Sequence, residues 1–291
     1  MSVDVHAGSV ASLLHMDGTH GGTTFTDESG KTVTVSGSAT TTTSSYKYGT
    51  AAGDFPGGGS DRLSLAADDD FNLGTGSWTI ECWFKTNNPT VQYMTLIEKD
   101  DASFTAGSWT LYLNYASSSA GDIAFATRDF SAIGTPIVYS TSGAFDDNSW
   151  HHAAVTRNGN WYMLWVDGVL KDVETSTTGI TDLSTSVYIG NSKYASRGFV
   201  GQMDEVRITK GVARYTTGFT VPPGAFGNDY PNGGDDVGAT GFQGAPGTTI
   251  FGPQGPDGEG QPATLVLPSP PPRYDANDQR QVRQLVQRAF R

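Results

Sequence analysis

Cysteine, charge and long apolar runs are what this sequence has least of. A single cysteine, Cys82, stands in 291 residues. No internal disulfide can form, and the residue's place between Glu81 and Trp83 in a strand-like run suits a small buried side chain. No apolar run approaches the ~18 residues that a membrane-spanning helix needs, so no membrane partner is expected. Residues 1–10, MSVDVHAGSV, have neither the basic start nor the apolar stretch of a secretory signal. The five histidines are scattered, with no His-x-His metal spacing and no Ser-His-Asp order.

Charged residues make up only 16% of the chain, and glycine is abundant at 37 residues. That composition suits a turn-rich, all-β protein and not a helical one. The net charge is −12, unevenly placed. Residues 273–291 hold five arginines against Asp275 and Asp278, so this end carries +3 and residues 1–272 carry −15. An acidic body repels nucleic acid, which is therefore not expected as a partner.

Trp150–Leu170 (WHHAAVTRNGNWYMLWVDGVL) is the most informative stretch. Asn158-Gly159 and Asp167-Gly168 tolerate the positive φ angles of tight hairpin turns, so three antiparallel strands are expected. Trp161, Met163 and Trp165 share one face, and Tyr162, Leu164 and Val166 the other. A strand apolar on both faces belongs inside a layered structure. Further strands are expected at Trp78–Lys85, Thr95–Lys99, Trp109–Asn114, Asp122–Arg128, Val187–Gly190 and Phe199–Ile208. Val206 and Ile208 alternate with Glu205 and Arg207, the period of a half-exposed strand. Tyr215–Pro223 (YTTGFTVPP) reads as a last strand running out into prolines, and Asp68–Asp70 as a solvated loop before a strand at Phe71.

These features, together with Leu13–Gly18 (LLHMDG), Phe55–Leu65 (FPGGGSDRLSL) and Gly201–Thr209 (GQMDEVRIT), resemble the laminin-G/concanavalin-A-like jelly-roll family. The resemblance covers roughly the first three quarters of the chain. It implies an all-β sandwich over residues 1–227, with the closing strand returning beside the first.

The resemblance also raises catalysis, because glycoside hydrolases share this shape. Retaining hydrolysis needs two carboxylates about 5–5.5 Å apart, so strand acids must share a face. Glu98 and Asp100 share parity but sit where a strand enters a loop, with no third acid. Asp204 and Glu205 are adjacent and are expected to face opposite ways, as are His151 and His152. No enzyme is expected. Acids at comparable places in similar folds hold calcium, which makes Asp17, Asp54 and Asp204 candidate ligands for a Ca2+ ion. Ordinary turn chemistry is the competing reading of the same residues. Trp109, Tyr112, Tyr115, Tyr188 and Tyr194 offer rings for stacking on sugar, against the alternative that they are core or cross-strand pairs.

Beyond the sandwich the composition changes. Residues 228–262 are Gly-rich, with glycines every third position at Gly238, Gly241, Gly244 and Gly247 and again at Gly252, Gly255 and Gly258. The period is that of collagen, whose crowded axis admits only glycine. Either neighbours trimerise the chain so that these triplets wind together as a homotrimer, or the stretch is an irregular linker. Residues 263–272 hold a short apolar strand and four prolines in Pro268–Pro272, a stiff spacer. Residues 273–291 are expected to form an amphipathic helix, with Val282, Leu285, Val286, Ala289 and Phe290 on one stripe and Arg283 beside it. Alone in water so short a helix is marginal, so it packs either on its own body or on other proteins.

A laminin-G-like domain with neither export signal nor disulfide fits a particle assembled in a host cytoplasm and released by lysis. The expected function is a non-enzymatic bacteriophage virion structural protein, a capsid decoration, head fibre or tail part. It would display the sandwich outward and attach to other virion proteins through Val282, Leu285, Val286, Phe290 and Arg283. The alternative is a carbohydrate-binding or adhesion module that recognises a host-surface glycan.

Overall fold

Trp78–Lys85 is the strand on which the architecture is built. Its residues alternate strictly between two destinations. Trp78, Ile80, Cys82 and Phe84 enter the main core, while Thr79, Glu81 and Trp83 point the other way, and all seven are buried. Burial pushes the Cys82 thiol pKa well up, so it is an inert core group.

The computed structural model describes residues 4–103, 105–114, 121–129, 136–140, 143–193 and 197–227. They lie in one compact unit, Met1–Ala239. Among them, two antiparallel sheets pack face to face. The first runs β13 (Val169–Thr175), β12 (Trp161–Val166), β11 (His151–Asn158), β6 (Trp78–Lys85), β15 (Val200–Lys210), β4 (Ala52–Pro56) and β3 (Thr40–Thr42). β1 (Val10–Leu14) also pairs with β15, so the expected meeting of the first and closing strands is present. The second sheet runs β10 (Val138–Tyr139), β9 (Ile123–Thr127), β8 (Trp109–Leu113), β7 (Met94–Lys99), β14 (Val187–Ile189), β5 (Arg62–Leu65) and β2 (Val33–Ser36).

The expected hairpins form where the turn residues stand. Gly159, Asp167 and Gly168 all take positive φ, and β11 pairs β12 from Asn158↔Trp161 to Ala153↔Val166. Tyr162, Leu164 and Val166 join the core, with Met163 and Trp165 on the outer face. Each such side chain removed from water contributes roughly 1.5–3 kcal/mol.

Tyr215–Pro223 is not a strand. Residues 211–227 form an irregular strap across the outer face of the first sheet. Tyr215 and Phe219 stack at 3.7 Å and cover Met163 and Trp165, and Phe226 covers Leu13 and Trp83. The segment's β-type residues are apolar because they pack flat, not because they join a ladder. Gly168 makes the approach feasible, since a Cβ there would collide with the Phe219 carbonyl oxygen. The strap also explains why Glu205 and Arg207 are buried rather than half exposed. Asp68–Asp70 is exposed as expected, but Asp69–Phe71 is a short 3-10 turn and not the start of a strand.

Between sheet and strap lies a buried charge network. Arg207 Nε donates to Glu81 Oε1 at 2.9 Å, and Tyr215 Oη to Glu81 Oε2 at 2.7 Å. His152 Nε2 lies 3.1 Å from the same Glu81 Oε2. Arg214 clamps Asp4 with both Nη atoms, at 2.9 and 2.5 Å, and Arg207 Nη1 reaches Asp4 Oδ2 at 3.2 Å. Two carboxylates thus answer two guanidiniums, which burial of charge requires. Burial by itself raises the Glu81 pKa, but the Arg207 charge and the His152 hydrogen bond outweigh it and hold the carboxyl far below its usual range.

A carboxyl pKa depressed by folding contributes stability above the unfolded value, about 4.3, and loses it as pH falls through the folded one. The domain should therefore lose stability on acidification, and Glu81→Gln should flatten that loss. Glu81→Ala should cost about 3–5 kcal/mol in chemical denaturation, because two guanidiniums stay buried around one remaining carboxylate. Ending the chain after Gly227 should leave the thermal midpoint nearly unchanged. Ending it after Lys210 strips the strap and should abolish the cooperative transition.

Candidate functional site

The segment from Thr43 to Ala51 (TSSYKYGTA) is rich in hydroxyls and carries the most exposed aromatic ring among the described residues, Tyr46, at 45%. Two carboxylates fix it from below. Asp204 Oδ2 accepts from the backbone N–H of Lys47 at 2.7 Å and of Tyr48 at 3.0 Å. Asp17 Oδ1 accepts from the N–H of Thr50 and Ala51, at 2.5 and 3.1 Å, and from Thr50 Oγ1 at 2.9 Å. Gly49, at φ +66°, lies so close to Asp17 that any Cβ would strike its carboxylate. Tyr48 packs edge-on to Trp83 at 5.8 Å and donates its hydroxyl to Pro222 O at 2.6 Å. The Lys47 ammonium lies 4.0 Å over the Trp83 ring. The second half of the loop, residues 47–51, is held at these points, and the exposed Tyr46 stands immediately before it.

The anchor on the sheet side is a β-bulge. β15 pairs Asp204 with Trp83 and Arg207 with Glu81, so three steps on β15 match two on β6. Glu205, at φ +50°, is the residue that absorbs the difference. Met203 and Val206 both reach the core, which leaves Asp204 and Glu205 together on the outer side. The sequence-based expectation that these neighbours face opposite ways is thus wrong, because simple alternation fails across a bulge. Glu205 takes a different partner set from Asp204. Its Oε1 lies 2.8 Å from His15 Nδ1, and its Oε2 accepts the Phe226 N–H at 2.8 Å.

Burial dominates the electrostatics here. It raises the Asp204 pKa to about 8, against the Tyr48 and Lys47 amide bonds that lower it, and the Glu205 charge adds to the rise. Glu205 is raised by burial despite its His15 hydrogen bond. His15 is raised too, because its hydrogen bond and charge interaction with Glu205 outweigh burial. The Tyr48 phenol is raised by burial and by the two acids.

Asp54, the third acid expected with Asp17 and Asp204, accepts instead from Gln202 Nε2 at 2.7 Å. The three acids do not converge on one point. Asp17 and Asp204 serve the same loop as acceptors for backbone amides, and no group of three His, Cys, Asp or Glu suited to a metal occurs among the described residues. Glu98 is buried on the outer face of the second sheet, where Ser192 Oγ donates to its Oε1 at 2.9 Å. Burial first, and Asp100 second, raise its pKa to about 7. His151 and His152 do part as expected, His151 toward Phe84 and Phe145 and His152 under the strap.

Of the proposed sugar-stacking rings, Trp109 is a core residue against Phe125, while Tyr112 and Tyr188 lie on the outer face of the second sheet, largely covered. Tyr115 and Tyr194 lie outside the described residues, as do Val282, Arg283, Leu285, Val286 and Phe290 and the whole Gly/Pro-rich arm. Nothing in the sequence marks the 43–51 loop except its hydroxyl-and-tyrosine composition. The acids that hold it are distant in sequence.

A laminin-G family model, described as the Concanavalin A-like lectin/glucanases superfamily, matches residues 57–214. No curated protein matches the chain. Among solved structures, it is similar to the binding domain of Paraclostridial Mosquitocidal Protein 1, at 13% identity and a TM-score of 0.54 over 70% of this chain and 49% of that one. It is similar also to the receptor binding domain of the botulinum neurotoxin C/D mosaic serotype, at 15% identity and a TM-score of 0.51 over 71% and 49%. A third is the binding domain of botulinum neurotoxin DC in complex with SialylT, at 13% identity and a TM-score of 0.51 over 70% and 48%. The chain spans about half the length of these structures, and at such identities the likeness is one of fold.

The Asp204 carboxyl gives the loop a measurable signature. A carboxyl whose pKa is raised by folding contributes stability that is complete below its unfolded value and lost as pH rises through the folded one, here about 8. The thermal midpoint should therefore fall as pH rises from about 4 to about 8 and level off above that. Asp204→Asn keeps an oxygen for the two amides and cannot ionise, so it should remove most of that fall. An unchanged profile in the variant would show that Asp204 does not set it.

Proposed function

The chain belongs to the Concanavalin A-like lectin/glucanases superfamily, and from that footing we propose a non-enzymatic recognition domain that binds a host-surface carbohydrate through its 43–51 loop. The observation that carries this reading is the loop itself, whose residues 47–51 are clasped by Asp204 and Asp17 while the adjoining Tyr46 is exposed. A loop already ordered before binding loses little further entropy on contact. Tyrosine supplies a rigid, amphipathic ring to stack on a sugar face, and the flanking Thr43, Ser44 and Ser45 supply hydroxyls. The similar toxin domains are titled as binding domains, one of them in complex with SialylT, which supports the reading by analogy of fold alone.

The acids support the same side. Asp204 and Glu205 share a face, yet both are buried and each holds a backbone N–H of a covering segment. Glu81 is enclosed under the strap, and Glu98 under Ser192 and Lys193. A glycosidase needs its carboxylates open to the glycosidic oxygen and to water. These are spent on folding contacts.

A second proposal concerns where the domain acts. The glycine triplets after Gly238 and the apolar stripe through Val282, Leu285, Val286 and Phe290 suit attachment to a virus particle, with the sandwich turned outward. The two proposals are compatible, since a displayed domain that binds a surface glycan serves adsorption.

The full chain applied to an array of sialylated and neutral glycans should bind at least one class. Tyr46→Ala should weaken that binding about tenfold, the loss of roughly 1.4 kcal/mol of stacking. No binding above background, or binding that Tyr46→Ala leaves unchanged, overturns the assignment. Polysaccharides incubated with the protein should release no reducing ends, and release that vanishes on replacing one Asp or Glu would show an enzyme instead.

A further inference from the structure

Lys99, the last residue of β7, is one of the largest fully buried side chains in the domain, and no carboxylate lies within ion-pair distance of it among the described residues. Its Nζ meets two neutral acceptors, Asn72 Oδ1 at 2.5 Å and the Phe71 carbonyl at 3.1 Å. Asn72 is oriented from its other side, where Nδ2 donates to Asp69 Oδ1 at 3.2 Å. The turn carrying Asp69 is itself fixed, since Lys210 Nζ donates to the Asp69 carbonyl at 2.7 Å. Asp68 and Asp70 are engaged with Lys31, leaving Asp69 to face the amide.

We propose that Lys99 and Asn72 are joined by an intramolecular isopeptide bond, formed by the folded protein itself with Asp69 as proton carrier. A buried amine, a carboxamide in hydrogen-bond contact with it and a carboxylate on the departing nitrogen are the parts that such an amide exchange needs. The Lys99 Nζ lone pair attacks Asn72 Cγ, forming the new C–N bond. A proton passes from Nζ through the Asp69 carboxylate to Nδ2, the Cγ–Nδ2 bond breaks, and ammonia leaves. One amide replaces another, with no change of oxidation state and no further reactant.

Burial supplies the nucleophile. Desolvation lowers the Lys99 pKa to about 8, against the nearby charge of Asp182, which raises it. A useful fraction of the side chain is therefore free amine near neutral pH. Burial also shields the product from hydrolysis. The bond would tie the second sheet, through β7, to the turn that leads from β5 into β6 and so into the first sheet. In a chain whose lone cysteine precludes an internal disulfide, it would be a covalent staple. It is independent of the carbohydrate reading.

Intact-mass measurement and peptide mapping of the purified full chain test this. The folded wild type should be lighter than its sequence by one ammonia, and digestion should yield a branched peptide joining Asn72 to Lys99. Asn72→Ala and Lys99→Met should each have their full sequence mass and a lower thermal midpoint than the wild type. Asp69→Ala changes an exposed residue, so it should fold and yet form the bond more slowly. A cross-link that forms at the wild-type rate in Asp69→Ala removes Asp69 from the mechanism. Folded wild-type protein that returns Asn72 and Lys99 in separate unmodified peptides overturns the proposal. So does an ammonia loss that maps elsewhere, such as to Asn158-Gly159.

Discussion

A carboxylate stands at the middle of the central strand, facing away from the core, and the fold must answer it. Glu81 cannot remain charged under a protein layer without partners. Arg207 meets it directly across the ladder, Tyr215 reaches it from the strap, and His152 from the next strand. Arg214 and Asp4 complete the balance. Through this one group the sheet, the strap and the segment at Asp4 share a single electrostatic unit. Such a unit favours one register over its neighbours, because a slip of one residue would turn Arg207 toward the core.

That register has a consequence one turn of alternation away. To place Arg207 opposite Glu81 while Asp204 stays opposite Trp83, β15 must hold one extra residue. The extra residue is Glu205, in a left-handed conformation that a non-glycine side chain adopts only when its surroundings compel it. The bulge turns two acids to one side, and each captures a different stretch of backbone. Asp204 takes the 47–48 amides, and Glu205 takes the strap at Phe226. The 43–51 loop is thus positioned by the same constraint that closes the strap.

Much of the sandwich was legible because its signals are local. Asn158-Gly159 and Asp167-Gly168 announce their turns, and the alternation through Trp78–Lys85 and Trp161–Val166 gives strand and face together. Adjacency of β1 and β15 followed from the family resemblance, and it brought Asp17 and Asp204 to the same loop. Their chemistry was not legible, because a carboxylate that accepts backbone amides and one that binds a cation look alike in sequence. The bulge was invisible for a related reason. Glu205 is no glycine, and its conformation is imposed by the pairing of its neighbour Arg207 with Glu81, more than a hundred residues earlier. Tyr215–Pro223 misled in the opposite way, since aromatic and β-branched residues suit a flat apolar strap as well as a strand. The 43–51 loop has no periodicity at all, and only its anchors reveal it.

The two buried acids on either side of the bulge also bound the conditions in which this arrangement holds. Glu81 is surrounded by cations and contributes while ionised, so its support fails in acid. Asp204 has only amide dipoles and a second acid beside it, so its support declines as pH rises above about 4 and is gone once it ionises near pH 8. Opposite environments on two neighbouring strands thus push like groups in opposite directions. Between those limits the strap and the loop are held together, one by a charge that must stay and the other by a charge that must not form. Replacing either acid by its amide therefore affects opposite sides of the pH range. At Glu81 the amide leaves a guanidinium unanswered, whereas at Asp204 it preserves the acceptor and removes only the ionisation.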